Sequence, residues 1–147
     1  MKTIVVKRTI DAPADKIFAL LADHANYKSF HGVKDSKLVK NGKPSKNGVG
    51  AIREITAGPA WFREEITAYQ QPTRLDYLIL QSRPPLEHQG GSIRLEKSAG
   101  GTDVTWTTTF RVKIPLIGAL ITPIMAGKLE KAFGGMLKEI DGRLQKR

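Results

Sequence analysis

Cysteine is missing from the 147-residue chain. That absence excludes disulfides, cysteine-ligated zinc and thiol nucleophiles, and leaves the redox compartment unmarked. Histidine is scarce: His24, His31 and His88 are the full complement, and their spacing matches no metal motif. A metal site would need them gathered with a carboxylate such as Asp23 or Asp35, so neither a metal nor a cofactor is expected. Long apolar runs are lacking too. The most apolar stretch, Ile114 to Met125, contains Pro115 and Pro123 and falls short of the ~20 residues a membrane span needs. Met1 to Ile10 alternates apolar and polar residues and is interrupted by Lys7 and Arg8, which reads as a strand rather than a targeting segment. The expected location is the cytoplasm. Acidic residues are in the minority, 14 against 24 Lys and Arg, for a formal charge of +10.

What is present is the composition of a water-soluble globular protein, 40% hydrophobic and 26% charged. Residues 1–147 read as one domain, long enough to bury a substantial core or enclose a cavity. Asp11-Ala12-Pro13 opens a helix in which Ile17, Leu20 and Leu21 share a face. Tyr27 and Phe30 mark a second short helix over Asn26–His31. Six strands are then expected, over 33–40, 49–56, 61–69, 74–81, 89–97 and 103–112, separated by turns rich in Gly, Pro and Asn. The period changes at the end: Leu129, Phe133, Met136, Leu137, Ile140 and Leu144 fall at helical spacing, an amphipathic C-terminal helix. Its lead-in, Leu116 to Met125, is apolar on nearly every side, either buried all round or the lip of something greasy.

Turn chemistry extends this to register. A two-residue turn at Gly58-Pro59 sets Ile55 opposite Phe62, Arg53 opposite Glu64, Ala51 opposite Ile66 and Val49 opposite Ala68. Glu54 then meets Arg63 on the other face, so the charges match on both. A turn at Gln71-Pro72 sets Glu64 opposite Ile79, Ile66 opposite Tyr77 and Ala68 opposite Leu75. At Gly100-Gly101, a turn pairing Leu95 with Trp106 and Ile93 with Thr108 is preferred to one that opposes Glu96 to Asp103. His88 points outward unless Gly90-Gly91 forms a bulge, which turns it inward.

The expected fold is α+β: a curved antiparallel sheet of about seven strands wrapped around the long C-terminal helix, with two short helices after the first strand. Asp11-Ala12-Pro13 leading to Leu20-Leu21-Ala22-Asp23, then Asn26-Tyr27 and Phe30, Gly48-Val49-Gly50-Ala51-Ile52-Arg53, Gly101-Thr102-Asp103-Val104-Thr105-Trp106 and the terminal helix resemble the START-like (SRPBCC, helix-grip) superfamily. The branch it is most similar to is that of the polyketide cyclases/dehydrases and lipid-transport proteins. The resemblance covers nearly the whole chain and implies a lipid, isoprenoid, quinone or polyketide-like ligand. It departs at His31, where relatives often carry a Trp-Pro-like pair.

The candidate ligand site is the concave face, with Arg53, Glu64 and Tyr77 orienting a ligand and Phe62, Trp106, Phe110, Ile124 and Met125 as apolar walls. Glu64 and Tyr77 are also candidate catalytic residues, an acid and base pair for a cyclase or dehydratase with Arg53 holding an enolate oxygen. The glycine-rich segments carry no nucleotide signature: Arg53 takes the third glycine's place after Gly48 and Gly50, and no helix follows Gly42-Lys43-Pro44-Ser45. A third function class rests on charge. Lys34, Lys37, Lys40, Lys43 and Lys46 form a basic flank suited to RNA or an anionic membrane surface, whereas no recognition helix for DNA is present.

Overall fold

The computed structural model describes residues 1–145. Alternation at the start becomes β1 (Lys2–Ile10), which buries Ile4 and Ile10. Pro13, whose fixed φ of −64° suits a helix start, precedes α1 (Ala14–Leu21) with Ile17, Phe18 and Leu21 buried. A 3₁₀ turn, His24–Ser29, brings Tyr27 and Phe30 edge to face at 5.5 Å. The remaining elements are β2 (Asp35–Lys40), β3 (Ile52–Ala57), β4 (Ala60–Gln70), β5 (Arg74–Arg83), β6 (Leu86–Ser98), β7 (Gly101–Val112) and α2 (Gly118–Gln145).

Seven antiparallel strands form one sheet in the order β1-β7-β6-β5-β4-β3-β2. The strands from β2 to β7 form a meander of neighbours, and β1 returns beside β7. This is the α+β helix-grip architecture, with Leu137 and Ile140 of α2 packed into the same core as Leu95, Val104 and Trp106 from the sheet.

The β3–β4 hairpin follows its turn chemistry: Gly58 takes the left-handed φ of 57°, Arg53 stands opposite Glu64, and Ile55 opposite Phe62. The Ile66 amide also bonds the Ala51 carbonyl at 2.9 Å, but Val49 does not reach Ala68. It bridges Lys43 instead, and its side chain is exposed.

Two of the expected registers need correction. The β4–β5 turn holds three residues, not two, so Gln70 pairs with Arg74 and Leu75 faces Tyr69 rather than Ala68. A bulge at Thr67 then absorbs the extra residue, which restores Ile66 opposite Tyr77 and Glu64 opposite Ile79. In the β6–β7 hairpin the turn is Ala99-Gly100, so Leu95 faces Val104, Ile93 faces Trp106 and Glu96 faces Asp103. The like charges are tolerated because both side chains lie on the exposed face, where Asp103 accepts a hydrogen bond from Thr9 at 2.7 Å. Gly101 opens β7 against the end of β1, where a β-carbon would stand 2.3 Å from the Ile10 carbonyl oxygen. The error is two residues, so every side chain keeps its face.

Candidate functional site

Because β3 and β4 pair Arg53 with Glu64 on the inner face, two charges are carried into the interior together. Arg53 is 1% exposed, and its Nε donates to Glu64 Oε1 at 2.8 Å while Nη2 lies 2.8 Å from the same oxygen. His24, from the 3₁₀ turn, supplies the next partner. Its Nε2 lies 3.0 Å from the Asn47 carbonyl oxygen and must donate there, which leaves Nδ1 to accept from Arg53 Nη1 at 3.1 Å. The rings of Tyr27 and Tyr77 flank the guanidinium, with centroids 4.8 and 5.4 Å from Cζ. Burial works against the charge of Arg53, yet Tyr27 and Glu64 outweigh it and hold the group more firmly protonated than usual. Burial first, and the Arg53 charge second, pull His24 down to about 3, so the imidazole is neutral at pH 7.

A second polar cluster adjoins this one. The bulge at Gln89, with Gly90 at φ 142°, reverses the facing of β6 and turns His88 inward. The Ile79 amide donates to His88 Nδ1 at 2.9 Å, so Nε2 carries the proton toward Thr108 Oγ1 at 2.6 Å. Burial lowers His88 to about 4. Its ring stacks on Tyr77 at 5.7 Å between centroids. Tyr77 accepts a hydrogen bond from Trp106 Nε1 at 2.9 Å; burial and then the Glu64 charge push its hydroxyl pKa up. Gly91 makes room for that ring, since a β-carbon there would lie 2.1 Å from Tyr77 Cζ.

Between these clusters and α2 lies a cavity of about 530 Å³. One side is apolar sheet, including Ile55, Ile79 and Phe110, and the other is the Leu129, Phe133 and Met136 face of α2. Phe133 stacks on Trp106 at 4.0 Å and joins the two walls. Arg53, Glu64 and Tyr77 form the polar end. Both Arg53 contacts fall on Glu64 Oε1, and among the described residues Oε2 has no hydrogen-bond partner.

Of the residues expected at the site, Arg53, Glu64, Tyr77, Phe62, Trp106 and Phe110 line this cavity, whereas Ile124 and Met125 do not. Ile124 is exposed, and Met125 packs in a separate cluster with Ile4 and Val112. The cause lies at the start of α2. Thr122 Oγ1 accepts from the Val112 amide at 2.9 Å, and a β-carbon on Gly118 would stand 2.4 Å from the Val112 carbonyl oxygen. This close seating turns Thr122, Met125 and Ala126 inward and Ile124 outward, and leaves the cavity to the following turns.

Sequence reasoning missed Tyr27, Thr108, Phe133 and Met136 as lining residues, and His24 as the partner of Arg53. The helical stripe and strand alternation contained the signal for Phe133, Met136 and Thr108. Nothing local marked His24. The five lysines of the basic flank are exposed, Lys34 just before β2, Lys37 and Lys40 on it and Lys43 and Lys46 in the loop after it, and none of them lines the cavity.

Residues 1–145 match the family described as polyketide cyclase/dehydrase and lipid transport. The chain belongs to that family. Among solved structures, this polyketide cyclase/dehydrase and lipid transport member is similar to the Thermus thermophilus protein TTHA0849, with a TM-score of 0.78 at 19% identity over 97% of this chain and 96% of that one. It is also similar to the Zhui aromatase/cyclase from Streptomyces sp. R1128, with a TM-score of 0.72 at 17% identity over 98% and 96%. A START superfamily protein from Mycobacterium smegmatis gives 0.69 at 12% over 97% and 94%. Identities this low speak for the fold alone. No curated protein matches the sequence.

Proposed function

We propose that the protein binds a neutral, mainly apolar small molecule of the lipid, isoprenoid, quinone or polyketide-like class between the sheet and α2. The observation that carries this is the largely apolar cavity with a buried polar end at Arg53, Glu64 and Tyr77, where Glu64 presents an unbonded carboxylate oxygen, while the exposed Lys128 and Lys131 line it from α2. That chemistry favours a ligand bearing a hydroxyl or phenol over a free acid. The Arg53 charge is already engaged by Glu64 and His24, so a ligand carboxylate gains little from it and meets the charge of Glu64; an O–H group donates to Oε2 instead.

Tryptophan emission tests this, because Trp106 bonds Tyr77 and forms part of the wall. Titration with dodecanol is expected to saturate and to bind more tightly than dodecanoate at pH 7, and Glu64→Gln is expected to narrow the preference. No saturable change with dodecanol, dodecanoate or an apolar dye overturns the reading. A mass spectrum of whatever co-purifies from cells would identify the natural ligand.

The same free oxygen supports a second, enzymatic reading, in which Glu64 takes a proton from a polyketide-like substrate while Tyr77 and Arg53 hold the enolate oxygen. Binding ranks first because Arg53, which would have to hold the enolate, already directs Nε and Nη2 to Glu64 and Nη1 to His24. Loss of turnover of a poly-β-ketone in Glu64→Gln, with binding retained, would reverse that order.

A further inference from the structure

No Asp or Glu occurs from Val104 to Leu129. Within that span, the turn before α2 and the first turns of the helix push aliphatic side chains into solvent: Leu116 is 99% exposed, Leu120 73%, Ile124 61% and Ile117 47%. Leu116 is the one non-glycine with a left-handed backbone among the described residues, at φ 72°, a conformation disfavoured for a side chain with a β-carbon. It gains no packing in return. The turn is nonetheless ordered by hydrogen bonding, with the Gly118 amide on the Ile114 carbonyl at 2.9 Å. Leu120, Ile124 and Lys128 follow at intervals of four, a single stripe along α2. Lys2 and Lys113 border a shallow groove with Leu116, and Lys128 caps the far end of the stripe. Lys2, Lys113 and Lys128 are exposed, and none has an ion-pair partner among the described residues.

We propose that this tip docks on an anionic lipid bilayer, with Leu116, Ile117, Leu120 and Ile124 entering the interface and Lys2, Lys113 and Lys128 meeting the phosphates. Charge selects the occupant. A symmetric pair of copies meeting through the tip would set these lysine rims against each other. A nucleic acid would use the lysines but gains nothing from the four exposed aliphatics and finds no aromatic side chain lining the groove on which a base could stack. A bilayer uses both parts of the surface, since aliphatic insertion and attraction to anionic headgroups reinforce each other. Lys128 also lines the cavity, so docking would bring the cavity rim to the membrane.

Co-sedimentation of the full chain with vesicles of phosphatidylcholine alone, or mixed with phosphatidylglycerol, tests this. Binding is expected only to the mixture, and Lys113→Gln with Lys128→Gln is expected to weaken it about ten- to thirtyfold. Leu116→Ser with Leu120→Ser is expected to weaken it at least as much at an unchanged melting temperature, because neither side chain is packed. Lys37→Gln with Lys40→Gln, on β2, serves as the control and is expected to leave binding within about twofold. Ile124→Trp is expected to be quenched by brominated acyl chains in the mixed vesicles. Equal losses for the β2 and tip lysine variants, no effect of the leucine pair, or no quenching would each overturn the proposal. So would self-association that depends on Leu120, or RNA retention that depends on Lys113 and Lys128 without vesicle binding.

Discussion

Arg53 reaches Glu64 through one carboxylate oxygen, Nε and Nη2 both lying 2.8 Å from Oε1. The pairing follows from a two-residue turn five residues away from each, and its burial follows from the face on which the register places them. An apolar pair of similar volume often replaces a buried ion pair without loss of stability, whereas removing one partner strands the other.

Three variants separate stability from function at this pair. Glu64→Ala should destabilise by roughly 3–5 kcal/mol in urea melts, because the Arg53 charge is left buried and unpaired. Glu64→Gln, which keeps an acceptor for Arg53, should cost less in stability while changing dodecanol affinity. The double variant Arg53→Met with Glu64→Leu should fold with near-native stability yet lose the preference for alcohol over acid. A double variant as unstable as Glu64→Ala would contradict this account.

His24 at about 3 and His88 at about 4 sit below the ordinary histidine value of 6.5, so in between the unfolded chain binds more protons than the folded one. The stability this represents is complete above about pH 6.5 and is lost as pH falls toward the folded values. Between pH 7 and pH 4 the histidines alone should cost on the order of a few kcal/mol. His24→Gln, whose amide can both donate to Asn47 and accept from Arg53, should flatten the dependence. A histidine NMR titration should find the His24 ring still neutral at pH 5.

Two glycines should respond oppositely to alanine. Gly91→Ala drives a β-carbon to 2.1 Å from the buried Tyr77 ring, so the ring must move or the strands must part. A loss of about 1–3 kcal/mol is expected, with altered Trp106 emission as the Tyr77 hydrogen bond shifts. Gly127, exposed in α2 with nothing near its missing side chain, should gain about 0.5–1 kcal/mol as alanine.

Glu96 stands directly across from Asp103 on exposed strand surface. Glu96→Lys should therefore stabilise by roughly 0.2–1 kcal/mol, read from the denaturation midpoint and reduced by salt. A destabilisation would argue against this register.

The order of elements was legible in the sequence because period and turn chemistry are local properties, carried within a dozen residues. The Arg53 and Glu64 pairing was legible for the same reason, with one short turn and complementary charges on both faces. Even the misplaced β6–β7 turn left Trp106 and Phe110 on the inner face, because strand facing repeats every two residues. What required the tertiary structure were the places where the chain departs from its own period or meets itself at a distance. The bulges at Thr67 and Gln89 reset facing, and the second turned His88 onto Tyr77. The seating of Gly118 and Thr122 against Val112 rotated α2, giving the cavity Phe133 and Met136 and leaving Ile124 in solvent. His24 reaches Arg53 from 29 residues away, while a loop carbonyl at Asn47 holds its tautomer. Period and turn type set which face a side chain takes; which atoms it then meets depends on how distant segments close over that face.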